Sequence, residues 1–330
     1  MVDKKRILSG MRPTGALHLG NYLGALANWV EMQETYDCFF FVADWHALTS
    51  DYENPADMGQ YVREILLDWL SAGLDPEKCT LFVQSKIPEH AELFLILSMI
   101  TPVPWLERNP TYKDQIVQLQ NKDLSTFGFL GYPVLQAADI IMYKAQGVPV
   151  GVDQVPHVEI TREIARRFNH LYGPVFPEPD AILTRTPKIL GLDRRKMSKS
   201  YGNAIYLSDS PEAIRTKVMQ MVTDPQRMRR SDPGNPDVCN VFEFHKLYTD
   251  PAATATIHKQ CRGAEIGCVE CKKIMAENLI KGLAPIHERR RYYLERPDLV
   301  DQIVAEGNTK ARRVAQQTMQ EVRAAIKIDY

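Results

Sequence analysis

Three short apolar segments in the first 85 residues alternate with stretches of helical periodicity, and this alternation restricts the fold most. The segments are residues 7–9, 38–43 and 81–83, and a fourth extended segment follows at residues 148–150. Strands that alternate with helices are typical of βαβ units, whose parallel strands form one sheet covered by helices. The sequence therefore predicts an α/β fold with a Rossmann-like parallel sheet.

The helix between the second and third strands is predicted from two signals. Asn54 and Pro55 are typical of an N-cap and the first helical position after it. Apolar residues then recur at helical spacing, at Met58, Tyr61, Ile65 and Trp69. This helix is expected to pack on the sheet, and another is predicted over residues 159–168.

The second part of the chain has the pattern of a helical domain. Ser210, Pro211 and Glu212 are typical of an N-cap, a first-turn proline and a first-turn acid. Near the end, apolar residues form a helical stripe that must be buried, at Ala315, Met319, Val322 and Ile326. We expect a catalytic domain over residues 1–205 and a helical domain over residues 206–330, with the last helix packing back toward the first domain.

Composition limits the classes of protein to which the chain can belong. Of its 330 residues 45% are hydrophobic and 25% charged, which is typical of a globular protein, and no apolar run is long enough for a membrane span. The start lacks the apolar stretch of a secretory signal, so the cytoplasm is the expected compartment. A net charge of -1 means that a nucleic-acid partner would need local basic patches.

Two segments have the composition of a phosphate-binding site. After the first strand comes a glycine-bearing loop with Thr14, His18, Gly20 and Asn21, followed by a helix. Backbone N–H groups at such a junction can bind an anion, although neither the dinucleotide pattern nor the P-loop pattern occurs here. The second segment is residues 196–200, in which two lysines can meet charge that develops on a leaving pyrophosphate.

With these two motifs the chain resembles the class I aminoacyl-tRNA synthetases and, more narrowly, the bacterial tryptophanyl-tRNA synthetases. The resemblance extends over essentially the whole chain. It rests on residues 9–15, 44–49, 132–140, 148–157, 161–169 and 196–200.

The resemblance implies that tryptophan attacks the α-phosphate of ATP and that the aminoacyl group is then transferred to tRNA(Trp). Such a reaction needs positioning and charge stabilisation rather than a side-chain nucleophile. Mg²⁺ is expected to be held mainly by the phosphates and water. The catalytic residues would be Thr14, His18, Lys196 and Lys199. The ATP-binding residues would be Arg12, Pro13, Thr14, Gly20, Asn21, Gly151, Asp153, Ile189, Lys196, Met197, Ser198, Lys199 and Ser200.

The amino-acid site implied by the resemblance centres on Asp139, which would accept a hydrogen bond from the indole N–H. A buried acceptor without its donor is costly, so this arrangement disfavours phenylalanine. Tyrosine is the open alternative, because Tyr132, Gln136 and Asp139 also match a pattern of archaeal-type tyrosyl enzymes. The tryptophan-binding residues would be Asp139, Tyr132, Gln136, Gln154, His46 and Val150.

Four of the six cysteines form a group with metal-binding spacing. Cys239, Cys261, Cys268 and Cys271 are separated by 21, 6 and 2 residues, and from spacing alone tetrahedral zinc is favoured. The resemblance favours an iron-sulfur cluster over zinc, because a subset of bacterial tryptophanyl enzymes carries a 4Fe-4S cluster on four similarly spaced cysteines near the anticodon-binding region. We therefore expect a 4Fe-4S cluster, with zinc as the alternative.

The expected partners are ATP, L-tryptophan and tRNA(Trp), and the resemblance also implies a homodimer. Nearby basic residues would contact the tRNA phosphates, namely Arg227, Arg229, Arg230, Lys272 and Lys273. Two other functions stay open. A non-catalytic paralogue that binds an amino acid or RNA should have damaged ATP motifs, and a small-molecule nucleotidyltransferase would not need the helical domain.

Overall fold

A computed structural model describes residues 4–110, 112–113, 124–184 and 189–330. Its five strands form one parallel sheet in the order β3-β2-β1-β4-β5. The strands are β1 (Arg6–Met11), β2 (Asp37–Val42), β3 (Cys79–Val83), β4 (Gly147–Val150) and β5 (Asp180–Leu183). The predicted α/β class and the four predicted strands are confirmed. The fifth strand was missed: its apolar run, residues 181–183, follows a segment with three prolines, residues 174–179, which is typical of a loop.

The inner strand β2, between β3 and β1, has buried side chains on both faces. Phe40 faces one hydrophobic cluster, where it stacks on Trp29 with ring centroids 4.6 Å apart. Phe39 and Phe41 face a second cluster on the opposite side. Because side chains alternate along a strand, a continuous apolar run indicates a strand that is covered on both faces.

Helices cover the two faces of the sheet. In the first part of the chain they are α1 (Leu19–Asn21), α2 (Ala27–Met32), α3 (Asp44–Asp51), α4 (Met58–Ala72), α5 (Glu89–Ile100), α6 (Val103–Glu107), α7 (Phe127–Met142) and α8 (Val155–Tyr172). A π-helical turn, Tyr22–Leu26, joins α1 to α2. Short 3-10 turns lie at Gln84–Lys86, Val152–Gln154, Lys199–Tyr201 and Pro236–Val238.

The predicted start of α4 at Asn54 and Pro55 is wrong. The helix begins at Met58, and Asp57 occupies the cap position. Pro55 instead opens a turn, in which the Met58 N–H donates to the Pro55 carbonyl oxygen at 3.0 Å. A proline with a helical φ angle suits a turn as well as a first helical residue, so sequence alone placed the boundary three residues early.

The second part of the described chain is helical. Its helices are α9 (Pro211–Gln220), α10 (Asn240–Tyr248), α11 (Pro251–Arg262), α12 (Cys268–Leu294) and α13 (Pro297–Ala325). The predicted cap of α9 is confirmed, since the Ser210 side chain accepts a hydrogen bond from the Ala213 N–H. None of the helices in the described ranges has the length and apolar character that a bilayer span requires.

The last helix, α13, packs against the edge strand β3. Ala315, Met319 and Val322 of the predicted stripe are fully buried with the second cluster. The Asn308 side chain accepts from the Val83 N–H at 2.9 Å, and a Cβ atom at Gly307 would lie 1.8 Å from the Leu81 carbonyl oxygen. Glycine at this position therefore allows the helix to approach the strand closely.

Candidate functional site

Two cavities adjoin at the ends of β1 and β4. In a sheet of this order, the connections from these neighbouring strands run in opposite directions and leave a crevice, the usual ligand position in such folds. The small cavity has a volume of about 220 Å³ and the large cleft about 900 Å³. Residues that line both are Ser9, Gly10, Arg12, Pro149, Val150 and Gln154.

The large cleft is bordered by the loop between β1 and α1. His18 caps α1, where its Nδ1 accepts from the Asn21 N–H while the Asn21 side chain accepts from the His18 N–H, each at 3.2 Å. Burial and the neighbouring Lys199 and Lys196 cations lower the pKa of His18 to about 4. The His18 ring is therefore neutral at physiological pH and fixes the shape of the loop.

The loop that carries Lys196 and Lys199 folds back as a tight turn. The Met197 N–H donates to the Ile189 carbonyl oxygen at 3.0 Å, and Asp193 accepts from the Arg195 N–H at the turn. Met197 is buried and anchors the turn, whereas Lys196 is exposed and lines the cleft. The buried Met197 side chain thus fixes the backbone beside it, and the neighbouring Lys196 places its cation at the wall of the cleft.

Lys199 connects the two loops. Its Nζ donates to the carbonyl oxygens of Thr14 and Gly15, at 2.9 and 2.8 Å, and lies 3.3 Å from the Thr14 hydroxyl. Burial lowers the pKa of Lys199 to about 8, although the Asp68 carboxylate acts in the opposite direction. The ammonium is therefore partly desolvated and held by neutral carbonyl groups.

Most residues that the resemblance assigns to ATP line the large cleft. They are Arg12, Thr14, Gly20, Asn21, Gly151, Asp153, Ile189, Lys196 and Met197. Four others do not line it, namely Pro13, Ser198, Lys199 and Ser200. Ser198 and Ser200 bond to each other through their hydroxyls at 2.8 Å, so they shape the lysine-bearing turn instead.

The small cavity is lined by all six residues that the resemblance assigns to the amino acid. They are His46, Tyr132, Gln136, Asp139, Val150 and Gln154. Tyr132 and Asp139 come from α7, and His46 comes from α3 directly after β2. The Tyr132 hydroxyl is 3.1 Å from Nε2 of His157, which also lines the cavity.

Asp139 is fully buried at one end of the small cavity and accepts hydrogen bonds from three side chains. His46 Nε2 and His90 Nδ1 each donate at 2.7 Å, and the Gln84 amide donates to both carboxylate oxygens at 2.9 and 3.0 Å. The other nitrogen of His90, Nε2, is 2.7 Å from the Tyr143 hydroxyl. The carboxylate therefore belongs to a connected network that fixes its orientation.

The charge of Asp139 follows from this network. Burial acts to raise the pKa of Asp139, but the hydrogen bonds from His46 and His90 outweigh it, so the pKa lies below its ordinary value. A hydrogen bond to the ionised form favours ionisation. The small cavity thus contains a buried carboxylate that stays negative at neutral pH.

Several side chains that hold residues of the two cavities were not predicted from the sequence. His90 and Gln84 bond to Asp139, and Ser50 and Asp51 are the partners of the predicted Arg12, which pairs with Asp51 at 3.3 Å. Gln84 directly follows β3, where parallel strands often present functional groups, so its position could have indicated a role. His90 gave no such signal, because a lone histidine in an apolar helix is more often a core residue.

The four grouped cysteines lie at the ends of helices in the second part of the chain. Cys239 precedes α10, Cys261 lies near the end of α11, and Cys268 and Cys271 are in the first turn of α12. All four are free thiols. Gly234 lets the Cys261 sulfur approach the chain, since a Cβ atom there would lie 2.6 Å from that sulfur.

These four thiols influence one another electrostatically. Burial and the thiols of Cys239, Cys261 and Cys268 raise the pKa of Cys271 to about 12. Arg227 Nη1 approaches the Cys268 sulfur at 3.9 Å. Across the described ranges, however, no three or more histidine, cysteine or carboxylate side chains are arranged to hold a metal ion. The described residues therefore show no formed metal site at the four cysteines, and the expected metal centre stays a prediction.

A basic groove lies beside the cysteines. It has a volume of about 490 Å³ and is lined by Arg227, Arg229, Arg230 and Lys273 among others. Arg227 Nη2 donates to the Arg230 carbonyl oxygen at 2.7 Å, and Lys272 donates to the Met219 carbonyl oxygen at 2.8 Å. The groove therefore concentrates positive charge that the net charge of the chain does not reveal.

Comparison with known proteins assigns the chain and its fold to a class of enzymes. The chain belongs to the family of class I tRNA synthetases for W and Y, whose pattern matches residues 3–284.

Several relatives that share 40% or more of their residues with the chain are named tryptophan–tRNA ligases. The chain is 55% identical to the tryptophan–tRNA ligase of Thermotoga maritima, over 98% of this chain and 99% of that protein. It is 48% identical to that of Aquifex aeolicus, over 98% of this chain and 100% of that protein. The tryptophanyl-tRNA synthetase of Campylobacter jejuni, solved with ADP and tryptophan, superposes with a TM-score of 0.90 at 35% identity, covering 98% of this chain and 99% of that one.

Proposed function

We propose that this chain catalyses the ATP-dependent ligation of L-tryptophan to tRNA(Trp), through a tryptophanyl-adenylate and with release of pyrophosphate and AMP. One observation carries the proposal. A small cavity with a buried carboxylate and aromatic walls adjoins a larger cleft that Lys196 lines, and Lys199 bonds to Thr14 at the same cleft. An amino acid and a nucleoside triphosphate bound in these two cavities would meet at the residues that the cavities share.

In the first step, the tryptophan carboxylate attacks the α-phosphate of ATP, and the bond from that phosphorus to the pyrophosphate oxygen breaks. The attacking carboxylate is already ionised, so the protein needs no general base. Lys196 and Lys199 would stabilise the charge that moves onto the pyrophosphate, and Thr14 and His18 would hold the loop around it. Mg²⁺ fits the same cleft on the phosphates and water, and no protein ligand is assigned to it.

Lys199 is suited to this role because its present partners are replaceable. It bonds to the carbonyl oxygens of Thr14 and Gly15, which are neutral acceptors. Phosphate oxygens would form stronger, charge-assisted hydrogen bonds with the same ammonium. ATP would therefore draw Lys199 away from the loop and raise its pKa, which favours the cation during the reaction.

Tryptophan recognition would rest on Asp139. The indole N–H would donate to its carboxylate, and His46, the partly exposed donor to Oδ2, would share or yield that oxygen. An apolar side chain would leave the buried charge without this donor, which is costly. The phenol of tyrosine can also donate to a carboxylate, so tyrosine is the competitor to test.

The ligand of the four cysteines is proposed as a 4Fe-4S cluster, with zinc as the alternative. Four mutually interacting thiols near Arg227 and the N-terminus of α12 suit an anionic cluster. A broad visible absorbance band after anaerobic purification would support the cluster, and a colourless protein with stoichiometric zinc would contradict it.

The proposal also includes a helical anticodon-binding domain after residue 205, action in the cytoplasm and a homodimer. The basic groove beside the cysteines supports contact with tRNA phosphates. Exposed apolar side chains on α5 and α7 support the dimer, since Leu95, Met99 and Phe127 expose 56%, 73% and 69% of their surface. Met99→Glu should shift the mass measured by light scattering from dimer to monomer, and an unchanged mass would contradict this interface.

The deciding experiment is amino-acid-dependent exchange of labelled pyrophosphate into ATP, with tryptophan and tyrosine compared on the same protein. Exchange with tryptophan alone supports the proposal. Exchange with tyrosine would assign the other amino acid, and exchange with neither would favour a non-catalytic paralogue. The Lys199→Ala variant is the matched control, because it should lose exchange and still bind tryptophan.

A further inference from the structure

Asp68 is a buried carboxylate that lines neither cavity, yet it contacts the loop at the large cleft. It lies on α4 and accepts a hydrogen bond from the Leu17 N–H at 2.7 Å. Its other oxygen accepts from Arg290 of α12. The side chains of Asp68 and Arg290 expose only 1% and 11% of their surface. The contacts form a continuous connection from the second part of the chain to the residue before His18.

We propose that Asp68 and Arg290 are positioning residues for ATP: Arg290 holds the Asp68 carboxylate, and Asp68 fixes the Leu17 N–H and thereby the loop that contains Thr14 and His18. The inference rests on the proposed function, in which the large cleft binds ATP. Neither side chain touches the nucleotide in this scheme, so each acts through the loop.

The loop depends on this bond because Leu17 is held from two directions. Its carbonyl oxygen accepts from the Leu207 N–H at 2.9 Å, and its N–H donates to Asp68. The Leu17 side chain is buried, so an N–H without a partner here would be costly. Without Asp68 the segment keeps only one of these two bonds, and His18 and Thr14 can shift relative to the lysines.

Arg290 keeps the carboxylate in place. Burial raises the pKa of Asp68 to about 6, whereas Arg290 and the Leu17 N–H favour the ionised form, as does Lys199. Arg290 Nη2 also donates to Glu64 Oε2 at 2.6 Å, and the negative charge of Glu64 acts against ionisation of Asp68. Removal of Arg290 would leave two carboxylates without their shared cation, so Asp68 would be driven to protonate or to turn toward solvent.

The preceding residue supplies a matched control. Arg289 also joins α12 to α4, since its guanidinium donates to the carbonyl oxygens of Ser71 and Ala72 at 2.6 and 3.2 Å. It makes the same kind of contact between the same two helices without touching Asp68. A purely structural role for Arg290 therefore predicts that the two arginines behave alike.

The test compares Arg290→Met with Arg289→Met in the full chain. We measure ATP affinity by equilibrium titration, tryptophan affinity without ATP, kcat and KM in exchange, and thermal melting. In Arg290→Met we expect ATP affinity or kcat/KM for ATP to fall by about 10- to 100-fold, as for a misplaced reacting group, with tryptophan affinity within about 2-fold. Arg289→Met should change neither value by more than about 2-fold, and equal ATP values in the two variants would overturn the inference.

Asp68 is tested by two substitutions of similar size. Asn keeps an oxygen that can accept from Leu17 and Leu does not, so Asp68→Leu should weaken ATP binding more than Asp68→Asn; equal effects would overturn the proposal. If Asp68→Leu does not fold, the Asp68→Asn/Arg290→Met double variant decides, because it removes both charges and keeps the acceptor. If the double variant binds ATP more tightly than Arg290→Met, the result supports the proposal that Arg290 acts through Asp68. Equal ATP affinities of these two variants would contradict it.

Failure of the inference can be distinguished from failure of the proposed function. An unmodified chain without tryptophan-dependent exchange contradicts the proposed function. The ATP titrations still compare Arg290→Met with Arg289→Met in that case, and only their equality contradicts the role of Asp68 and Arg290.

Discussion

The small cavity and the large cleft adjoin, but they satisfy their polar groups in different ways. In the small cavity, Asp139 is bonded to three side chains and has no exposed surface. At the large cleft, Lys199 is held by backbone carbonyl oxygens, and Lys196 is exposed. The first region has a fixed network, whereas the second has cations with replaceable partners.

This difference matches the two tasks of the proposed reaction. Selection of one amino acid needs a rigid, desolvated group that penalises a wrong side chain. Stabilisation of a leaving pyrophosphate needs cations that can meet charge as it moves. The volumes, about 220 Å³ against about 900 Å³, follow the same division between a small site for a side chain and a larger site for a polyanion. If the two regions are separable, substitutions in one should leave binding in the other intact.

The largest effect is expected from Asp139→Asn. An amide cannot accept from His46, His90 and Gln84 as a carboxylate does, and its NH₂ group faces those donors. We expect kcat/KM for tryptophan to fall by about 10³-fold, since several buried hydrogen bonds are lost together. ATP affinity measured without tryptophan should be nearly unchanged. An equal loss of ATP affinity would show that the two regions are not independent.

A smaller effect is expected from Lys199→Ala. Removal of the cation should lower kcat for exchange by about 10²- to 10³-fold, as for loss of one group that stabilises developing charge. Tryptophan affinity without ATP should not change, because Lys199 does not line the small cavity. Lys199→Arg retains the charge and should recover part of the rate. A Lys199→Ala variant with normal kcat would remove this lysine from the mechanism.

The pH dependence of kcat/KM for ATP should follow from the charge of Lys199. Its pKa is lowered from 10.5 to about 8, so the free protein loses this charge as pH rises through 8. kcat/KM for ATP, which reports the free enzyme, should then fall by about tenfold for each pH unit above 8. Lys199→Arg should remove this alkaline fall. A profile that is flat to pH 10 in the unmodified protein would contradict the role of Lys199.

The lowered pKa of Lys199 also affects the free energy of unfolding. As pH rises, this effect is opposite in direction to the effect on activity. Between pH 8 and 10.5 the unfolded chain holds a proton on Lys199 that the folded chain has lost. Unfolding therefore takes up a proton in this window, and the contribution of Lys199 to the free energy of unfolding rises with pH. Comparison of melting curves of the unmodified chain and Lys199→Arg measures this contribution. Activity and this part of the stability should move in opposite directions.

The smallest effect is expected from a pair of glycines that both line the large cleft. A Cβ atom at Gly20 would lie 3.0 Å from the His18 ring, whereas a Cβ atom at Gly24 would meet no neighbouring atom of the described chain within 4 Å. Gly20→Ala should displace His18 and raise KM for ATP by about 10-fold. Gly24→Ala should leave it within about 2-fold. Equal values would mean that the His18 ring has no effect on the cleft.

Much of the fold was predictable because the sequence of a single strand or helix indicates which of its residues are buried and where it begins. The run of phenylalanines in β2 predicted a strand covered on both faces, and Ser210 with Pro211 predicted the start of α9. The boundary at Met58 was not predictable, because Pro55 suits a turn and a helix start equally. β5 was missed because its short apolar run follows a segment with three prolines that is typical of a loop.

The site was predictable where the resemblance supplied residue roles and not where contacts join distant segments. The six residues assigned to the amino acid all line the small cavity. Gln84 and His90 were missed because their function depends on a side chain on α7, about fifty positions away in sequence. Asp68 was missed for the same reason, since its partners are distant in sequence: Leu17 lies in the loop after β1, and Arg290 reaches it through the packing of α12 on α4.

The close contact between α13 and β3 has a consequence for how the chain is made. The Val83 N–H is bonded to Asn308, which lies 225 positions later in the sequence. A ribosome therefore releases the edge strand long before its covering helix exists. During that interval β3 presents unpaired backbone groups and apolar side chains to other chains, which is a recognised hazard for aggregation. The catalytic sheet reaches its protected state only once α13 has emerged and docked.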